Sequence, residues 1–349
     1  MSADSTRASI RAVASLAGVS PSTVSRALNS PELVNAETRR RVLECAERLG
    51  YQPNRAAQSL VLGRTRNIGL IVPDIANPFF APFIKGVEAY FRDTEFAVFL
   101  ADTDEDTATE VRLAEAMVER VDGLILCAPR MSGTRLRAVA SKTTVVLAYR
   151  TSRAAPSIVS DFQSGMDQAA AHVHALGHRR CAYLSGPANS WSNRQRRKFI
   201  GAACAERGIE LVDLGPYEPR FTGGFRAADE VLAAGVTAVF AYNDLVALGV
   251  LSRLTARGVP VPGRPASGGP VSGGGSYEGL SIVGFDDVPM ASMTNPPLTT
   301  VAMPVNALSR AAAATMHSML DPRAPKAPPL PPAAELATRL LIRGTTGPV

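Results

Sequence analysis

The chain has 349 residues, 46% hydrophobic and 19% charged. That composition excludes a disordered chain and leaves room for two or three domains. No run of ~18 apolar residues suggests a membrane-spanning helix, and the polar start Met1–Arg11 lacks a secretory apolar core, so a cytoplasmic protein is expected.

Charge is unevenly placed. Residues 1–66 hold ten arginines and no lysine against five acids, so this short head carries +5 of the chain's +6. A basic head on a nearly neutral body suits nucleic acid, because phosphates reward clustered cations by releasing counterions. An arginine-biased solvated surface would give the same count. Cys45, Cys127, Cys181 and Cys204 lie far apart without a CxxC pair, and two of only four histidines are the His172/His174 pair. We therefore expect buried thiols, no metal site and no cofactor.

In the head, Ser9-IRAVASLA-Gly18 reads as a helix with an N-cap and a glycine stop, and Ile10, Val13, Ala14 and Ala17 share one face. A second helix begins at Pro21, capped by Ser20, with Val24, Ala27 and Leu28 inward and Ser22, Ser25, Arg26 and Asn29 opposite. A third runs from an Asn35 cap through Arg39, Arg40 and Arg41 to Leu49. The four-residue turn Ala17–Ser20 makes the first pair a helix-turn-helix, whose second helix reads the major groove. Short side chains at Pro21, Ser22 and Ser25 permit close approach, and Arg26 is the candidate guanine reader. Beyond Tyr51, Asn54 caps a helix of only seven or eight residues, Arg55 to Leu62, too short to hold alone. Leu60 and Val61 there suit an apolar minor-groove wedge, or simply a linker.

IRAVASLAGVSPSTVSRALN, VNAETRRRVLECAERLGYQPNRAAQSL and RTRNIGLIVPDIANPFF together resemble the LacI/GalR family of bacterial transcriptional regulators. The likeness spans essentially the whole chain. It implies a headpiece (residues 8–50) that binds a double-stranded operator as a homodimer, and a hinge (51–65) that orders on DNA. In that hinge Leu60 would open a base step and Ala57 would pack on the partner's hinge helix. Pro21, Ser22 and Arg26 would read bases, with Thr23, Ser25 and Asn29 near phosphates; Ser20, Asn54 and Arg55 complete the DNA-facing set.

The body alternates apolar runs with helical patterns. NIGLIV, FAVFL, GLILC and TVVLA read as buried parallel strands, with helices near 78–93, 104–120 and 132–141. CAYLSG, IELVDLG, TAVFAYND and LSIVGFDD follow, with helices near 162–176, 193–207, 223–234 and 243–257. The fold class is therefore α/β: a three-helix head and hinge, then two doubly wound lobes whose ligands sit beyond the strands' carboxyl ends. The resemblance adds a periplasmic-binding-protein-like pair, lobe 1 at about 66–162 and 295–322 and lobe 2 at about 163–294 and 336–347, with TRLLIR returning to lobe 2. Its cleft would hold a sugar, nucleoside or related effector.

Asn77, Phe79 and Phe80 follow the first strand, Asn243 and Asp244 follow TAVFAY, and Asp286 follows SIVGF. Arg196 lies early in a helix. Carboxylates and an arginine meeting in a pocket can divide a ligand's hydrogen bonds, and by resemblance Arg196, Asp244 and Asp286 match effector contacts. Asp244 could equally cap its helix, and Trp191 could be core or lid. Arg150 completes the set, but Tyr149 precedes it where the family often has an acid, which removes an acceptor for sugar hydroxyls. The glycine-rich stretch Gly263–Gly279 reads as a flexible surface insertion.

An enzyme is disfavoured, since no GxxxxGK[ST], GxSxG or HExxH motif occurs. A transporter's solute-binding protein would share the body but not the head. The expectation is an effector-responsive, homodimeric repressor without membrane contact.

Overall fold

The computed structural model describes residues 9–29, 33–51, 64–265, 277–325 and 336–349. Internal contacts divide the chain between Thr65 and Arg66. The first unit holds α1 (Ile10–Ala17), α2 (Pro21–Asn29) and α3 (Ala36–Arg48). Ser9 Oγ accepts the Ala12 N–H at 3.2 Å and Asn35 Oδ1 the Thr38 N–H at 2.8 Å, which satisfies first-turn donors that have no intrahelical partner. Gly18 ends α1 at φ +61°, a conformation open to glycine without strain. Val13, Ala14, Ala17, Val24, Ala27, Val42, Cys45 and Ala46 form the core, with Ile10 and Leu28 partly buried against it.

In the second unit β1 (Asn67–Val72), β2 (Ala97–Asp102), β3 (Gly123–Cys127), β4 (Thr144–Ala148) and β5 (Ser157–Ile158) form a parallel sheet ordered β2-β1-β3-β4-β5. Helices α4 (Phe80–Phe91), α5 (Thr107–Met117) and α6 (Gly133–Ala140) join its first four strands. α7 (Phe162–Ala175) then leads into the second lobe: β6 (Arg180–Leu184), α8 (Trp191–Glu206), β7 (Glu210–Leu214), α9 (Phe221–Ala233), β8 (Ala238–Ala241) and α10 (Asp244–Ala256). A two-residue ribbon, β9 (Arg264–Pro265) against β10 (Tyr277–Glu278), closes the base of the glycine-rich stretch. The insertion between them lies outside the described residues.

β11 (Ser281–Asp286), β12 (Thr299–Ala302) and β13 (Arg339–Leu341) complete a six-stranded sheet ordered β13-β12-β11-β8-β6-β7, in which only β13 runs antiparallel. This corrects the expected assignment to lobe 1 for the first part of 295–322, up to Ala302. β12 pairs in parallel with β11, Val283 beside Thr299, so the chain crosses back only after Ala302. Thr299 and Thr300 are fully buried, an unusual strand for an apolar-run search. α11 (Val305–Leu320) then packs in lobe 1, where Ser309 fills the space beside Gly86 of α4. β13 returns to lobe 2, as expected for TRLLIR.

α9 and α10 approach backbone to backbone through two glycines. A Cβ on Gly224 would stand 1.9 Å from the Val246 carbonyl oxygen, and one on Gly249 would stand 2.1 Å from that of Phe221. Backbone cannot swing aside as a side chain can. Gly249→Ala should therefore cost about 1–3 kcal/mol and lower the melting temperature. An unchanged melt would contradict this packing.

Candidate functional site

Two surfaces carry the residues singled out from sequence. On α2, Pro21, Ser22 and Arg26 are exposed while Thr23 and Ser25 are half-buried. Ser20 Oγ accepts the Thr23 N–H at 3.1 Å and meets the Ser22 and Thr23 hydroxyls at 3.2 and 2.9 Å. The cap therefore holds the first turn of the exposed face. Arg39, Arg40 and Arg41 are exposed on α3. The side chain of Asn29, and Asn54, Arg55, Ala57 and Leu60 of the hinge, lie outside the described residues.

The second surface is a cleft between the two lobes. It forms where strands end, because each parallel strand releases its chain at the carboxyl edge of its sheet. Lobe 1 supplies Asn77, Phe79 and Phe80 after β1, Glu105 after β2, Ala128 after β3 and Tyr149 after β4. Lobe 2 supplies Ser192 and Arg196 from α8, Pro219 before α9, Tyr242 and Asn243 after β8, and Asp286 from β11.

Arg196 is the best-held charge in the cleft, although it is 4% exposed. Its Nη2 donates to Asp286 Oδ1 at 3.0 Å and its Nη1 to the Tyr242 carbonyl at 2.5 Å. The guanidinium carbon lies 3.7 Å from the Phe285 ring centre, 5.0 Å from Tyr242 and 5.6 Å from Phe162, a cation–π cage. Burial pushes the Asp286 carboxyl up to about 6, with Arg196 opposing. Across the cleft, burial raises Glu105 while its ion pair with Arg130 pulls the other way.

Three residues of lobe 2 tie it to lobe 1 beside this cleft. Ser192 Oγ donates to the Tyr149 carbonyl at 3.1 Å, and Asn189 Nδ2 donates to Thr107 Oγ1 at 2.9 Å. Arg220, ahead of α9, donates through Nε to Asp74 Oδ2 at 3.1 Å and through Nη2 to Asp104. Backbone strain gathers here too. Among the described residues, seven non-glycine residues have positive φ, and Glu105, Ala128, Tyr149 and Asp286 of the cleft are four of them. Such residues cost roughly 1–3 kcal/mol each and cluster at functional sites.

Six expected residues thus meet in one cleft: Asn77, Phe79, Phe80, Arg196, Asn243 and Asp286. Three do not line it. Arg150 turns its Nη1 to the Pro129 and Met131 carbonyls at 2.9 and 2.6 Å, clamping a loop. Trp191 starts α8 half-buried, edge-on to Phe162 at 6.0 Å, which favours core over lid. Asp244 is wholly buried beneath the cleft. Its Oδ1 accepts the Thr300 hydroxyl at 2.5 Å and its Oδ2 the Val288 N–H at 2.8 Å. Asn243, not Asp244, caps α10, accepting the Val246 N–H at 2.9 Å.

Glu105, Ala128, Ser192, Pro219 and Tyr242 also line the cleft without a place in the sequence reading, which marks Tyr149 only as a departure from the family. For Ala128 and Tyr149 the signal was available, since each directly follows a strand that the sequence marks. Because Asp244 fastens β12 and the post-β11 loop to α10, Asp244→Ala should strand two buried donors at about 1–3 kcal/mol each. It is expected to lower the melting temperature even without ligand, and an unchanged melt would contradict the structural role.

Comparison with known proteins bears on both surfaces. Residues 9–54 match the model for bacterial regulatory proteins of the lacI family, and residues 65–328 that for periplasmic binding proteins and the sugar binding domain of the LacI family. The HTH-type transcriptional regulator DegA of Bacillus subtilis is 31% identical over 84% of this chain and 86% of its own. A lac repressor dimer bound to operator and the anti-inducer ONPF superposes with a TM-score of 0.79 at 25% identity, covering 98% of this chain and 99% of that one. A complex of the transcriptional regulator CelR with cellobiose gives 0.66 at 26%, covering 97% and 100%. The chain therefore belongs to the LacI family: it is a DNA-binding transcriptional regulator with a periplasmic-binding-protein-like ligand domain, and not an enzyme.

Proposed function

We propose that this chain is a homodimeric repressor whose affinity for a pseudo-palindromic operator is set by a small metabolite, a sugar, nucleoside or relative, in the cleft between the lobes. The observation that carries this is the cleft itself: six separately predicted side chains meet around one buried ion pair, on a chain that begins with a helix-turn-helix. Residues 8–50 form the headpiece, 51–65 the hinge and 66–349 the control body. Arg26, Pro21 and Ser22 read bases, and Ser20, Thr23, Ser25 and Asn29 stand near phosphates. Asn54, Arg55, Ala57 and Leu60 act in the hinge.

Dimerisation is supported by exposed apolar side chains. Phe99 and Leu100 are exposed on the edge strand β2, and Phe221 and Phe225 on α9. Arg220 precedes Phe221 and pairs with Asp104, two residues beyond β2, so α9 begins near the end of that strand. A second copy would cover such exposed apolar side chains. Two headpieces then meet two half-sites.

An effector acts by joining or displacing the contacts that already bridge the lobes: Ser192 to Tyr149, Asn189 to Thr107, and Arg220 to Asp74 and Asp104. Lobe geometry sets the separation of the two hinges in the dimer. A coupling of ~1–3 kcal/mol changes operator affinity ~5–150-fold.

The test is a thermal-shift screen of sugars, nucleosides and phosphorylated metabolites on the full chain, followed by titration of an operator selected from random DNA. A compound that raises the melting temperature is expected to move the operator Kd at least ~5-fold, in either direction. Stabilisation without any change in Kd would contradict the proposal. Arg26→Ala should leave the melt unchanged, because the side chain is exposed, and relax selected half-sites by ~1–3 kcal/mol at one position. Unchanged half-sites would remove Arg26 as a reader.

A further inference from the structure

Tyr149 presents a hydroxyl with nothing to bond. The residue is 2% exposed, and its ring is held at 5.4 Å from Phe79 and 5.5 Å from Phe83. The Ser192 hydroxyl fastens its carbonyl from the other lobe, and its φ of +59° is strained. Yet the phenol oxygen has no hydrogen-bond partner among the described residues, and neither does Arg196 Nε. Both residues line the cleft. Buried polar groups are nearly always paired, so two orphan donors at one cleft call for a partner from outside the chain.

The chemistry of that partner follows from the groups around it. Burial holds the phenol well above its usual range, so it stays protonated and can donate. A carbonyl oxygen or ring nitrogen accepts without bringing a further proton, and a carbonyl has two lone pairs for two donors. Asp286 spends Oδ1 on Arg196, and its Oδ2 is left to accept an N–H or O–H beside that carbonyl. Glu105 is balanced by Arg130 and Asp286 by Arg196, so among the described residues lining the cleft no unpaired cation faces an anionic ligand. Phe79, Phe80 and Tyr242 line the cleft with aromatic surface, and flat apolar rings on both sides of a pocket suit a ring compound.

We propose that Tyr149 selects the effector, and that the effector is a neutral ring compound presenting a carbonyl or ring nitrogen next to a hydrogen-bond donor. This rests on the cleft being the effector site. A carboxylate at this position would ask a ligand for a proton; the phenol of Tyr149 supplies one.

The test compares the full wild-type chain with Tyr149→Phe, using melting curves and calorimetric titration. Uracil, uridine and D-glucono-1,5-lactam serve as carbonyl probes, and D-glucose, D-ribose and cellobiose as polyols. Without ligand, Tyr149→Phe should melt at or above wild type, since no bond within the chain is lost. At least one carbonyl probe should bind wild type and bind Tyr149→Phe about ten-fold more weakly, with polyol affinities alike in the two proteins. Equal carbonyl affinity in both, or a less stable free variant, overturns the role of Tyr149. Polyol binding without carbonyl binding overturns the ligand class but leaves the cleft as effector site, and silence from both panels overturns the two together.

Discussion

A single desolvated cation organises the ligand domain. Arg196 would be costly in a nearly waterless position without compensation, and the chain surrounds it with a carboxylate, a backbone carbonyl and three aromatic faces. β11 delivers two of these from consecutive residues, Phe285 and Asp286. In a regular strand neighbours point to opposite faces. The positive φ of 116° at Asp286 breaks that alternation, so ring and carboxylate reach the same guanidinium. The cleft floor is thus made where the strand stops being regular.

The same logic runs around the rim. Asp104, Glu105, Ala128, Tyr149, Asp286 and Asp287 all adopt positive φ just past, or at the end of, a parallel strand. These turns aim side chains across the gap instead of along the helices that follow. Strain there is stabilised by well-packed sheets behind it, since β1, β3, β4, β8 and β11 are almost wholly buried. Under the proposed effector control, ties such as Arg220 to Asp74 and Asp104 are the discrete contacts that a ligand would make or break.

Much of this was legible in the residues. NIGLIV, GLILC and TVVLA are strands at their written limits, because a strand buried on both faces needs an unbroken apolar run. The caps at Ser9 and Asn35 and the stop at Gly18 were equally plain. β12 escaped because its Thr299 and Thr300 satisfy their hydroxyls through Thr346, Arg343 and Asp244, partners remote in sequence. Asn243 and Asp244 show the limit of local patterns. Either could cap α10, and only tertiary packing decides that Asn243 caps and faces the cleft while Asp244 turns inward. Tyr149 was noticed as a departure from the family, but that its hydroxyl lacks a partner is a property of three-dimensional burial.

The headpiece and the ligand domain thus use opposite physics, exposed cations on one and caged charges on the other. The claim on which the ligand domain stands is that Arg196 and Asp286 act as one buried unit. A double-mutant cycle with Arg196→Met and Asp286→Asn, read by chemical denaturation, measures it directly. Each single change is predicted to cost about 3–5 kcal/mol, since it leaves a buried charge uncompensated. The pair together should cost clearly less than the sum, with a coupling of at least about 1 kcal/mol. Strictly additive losses would mean that the two side chains are stabilised independently, and would contradict this account of the cleft.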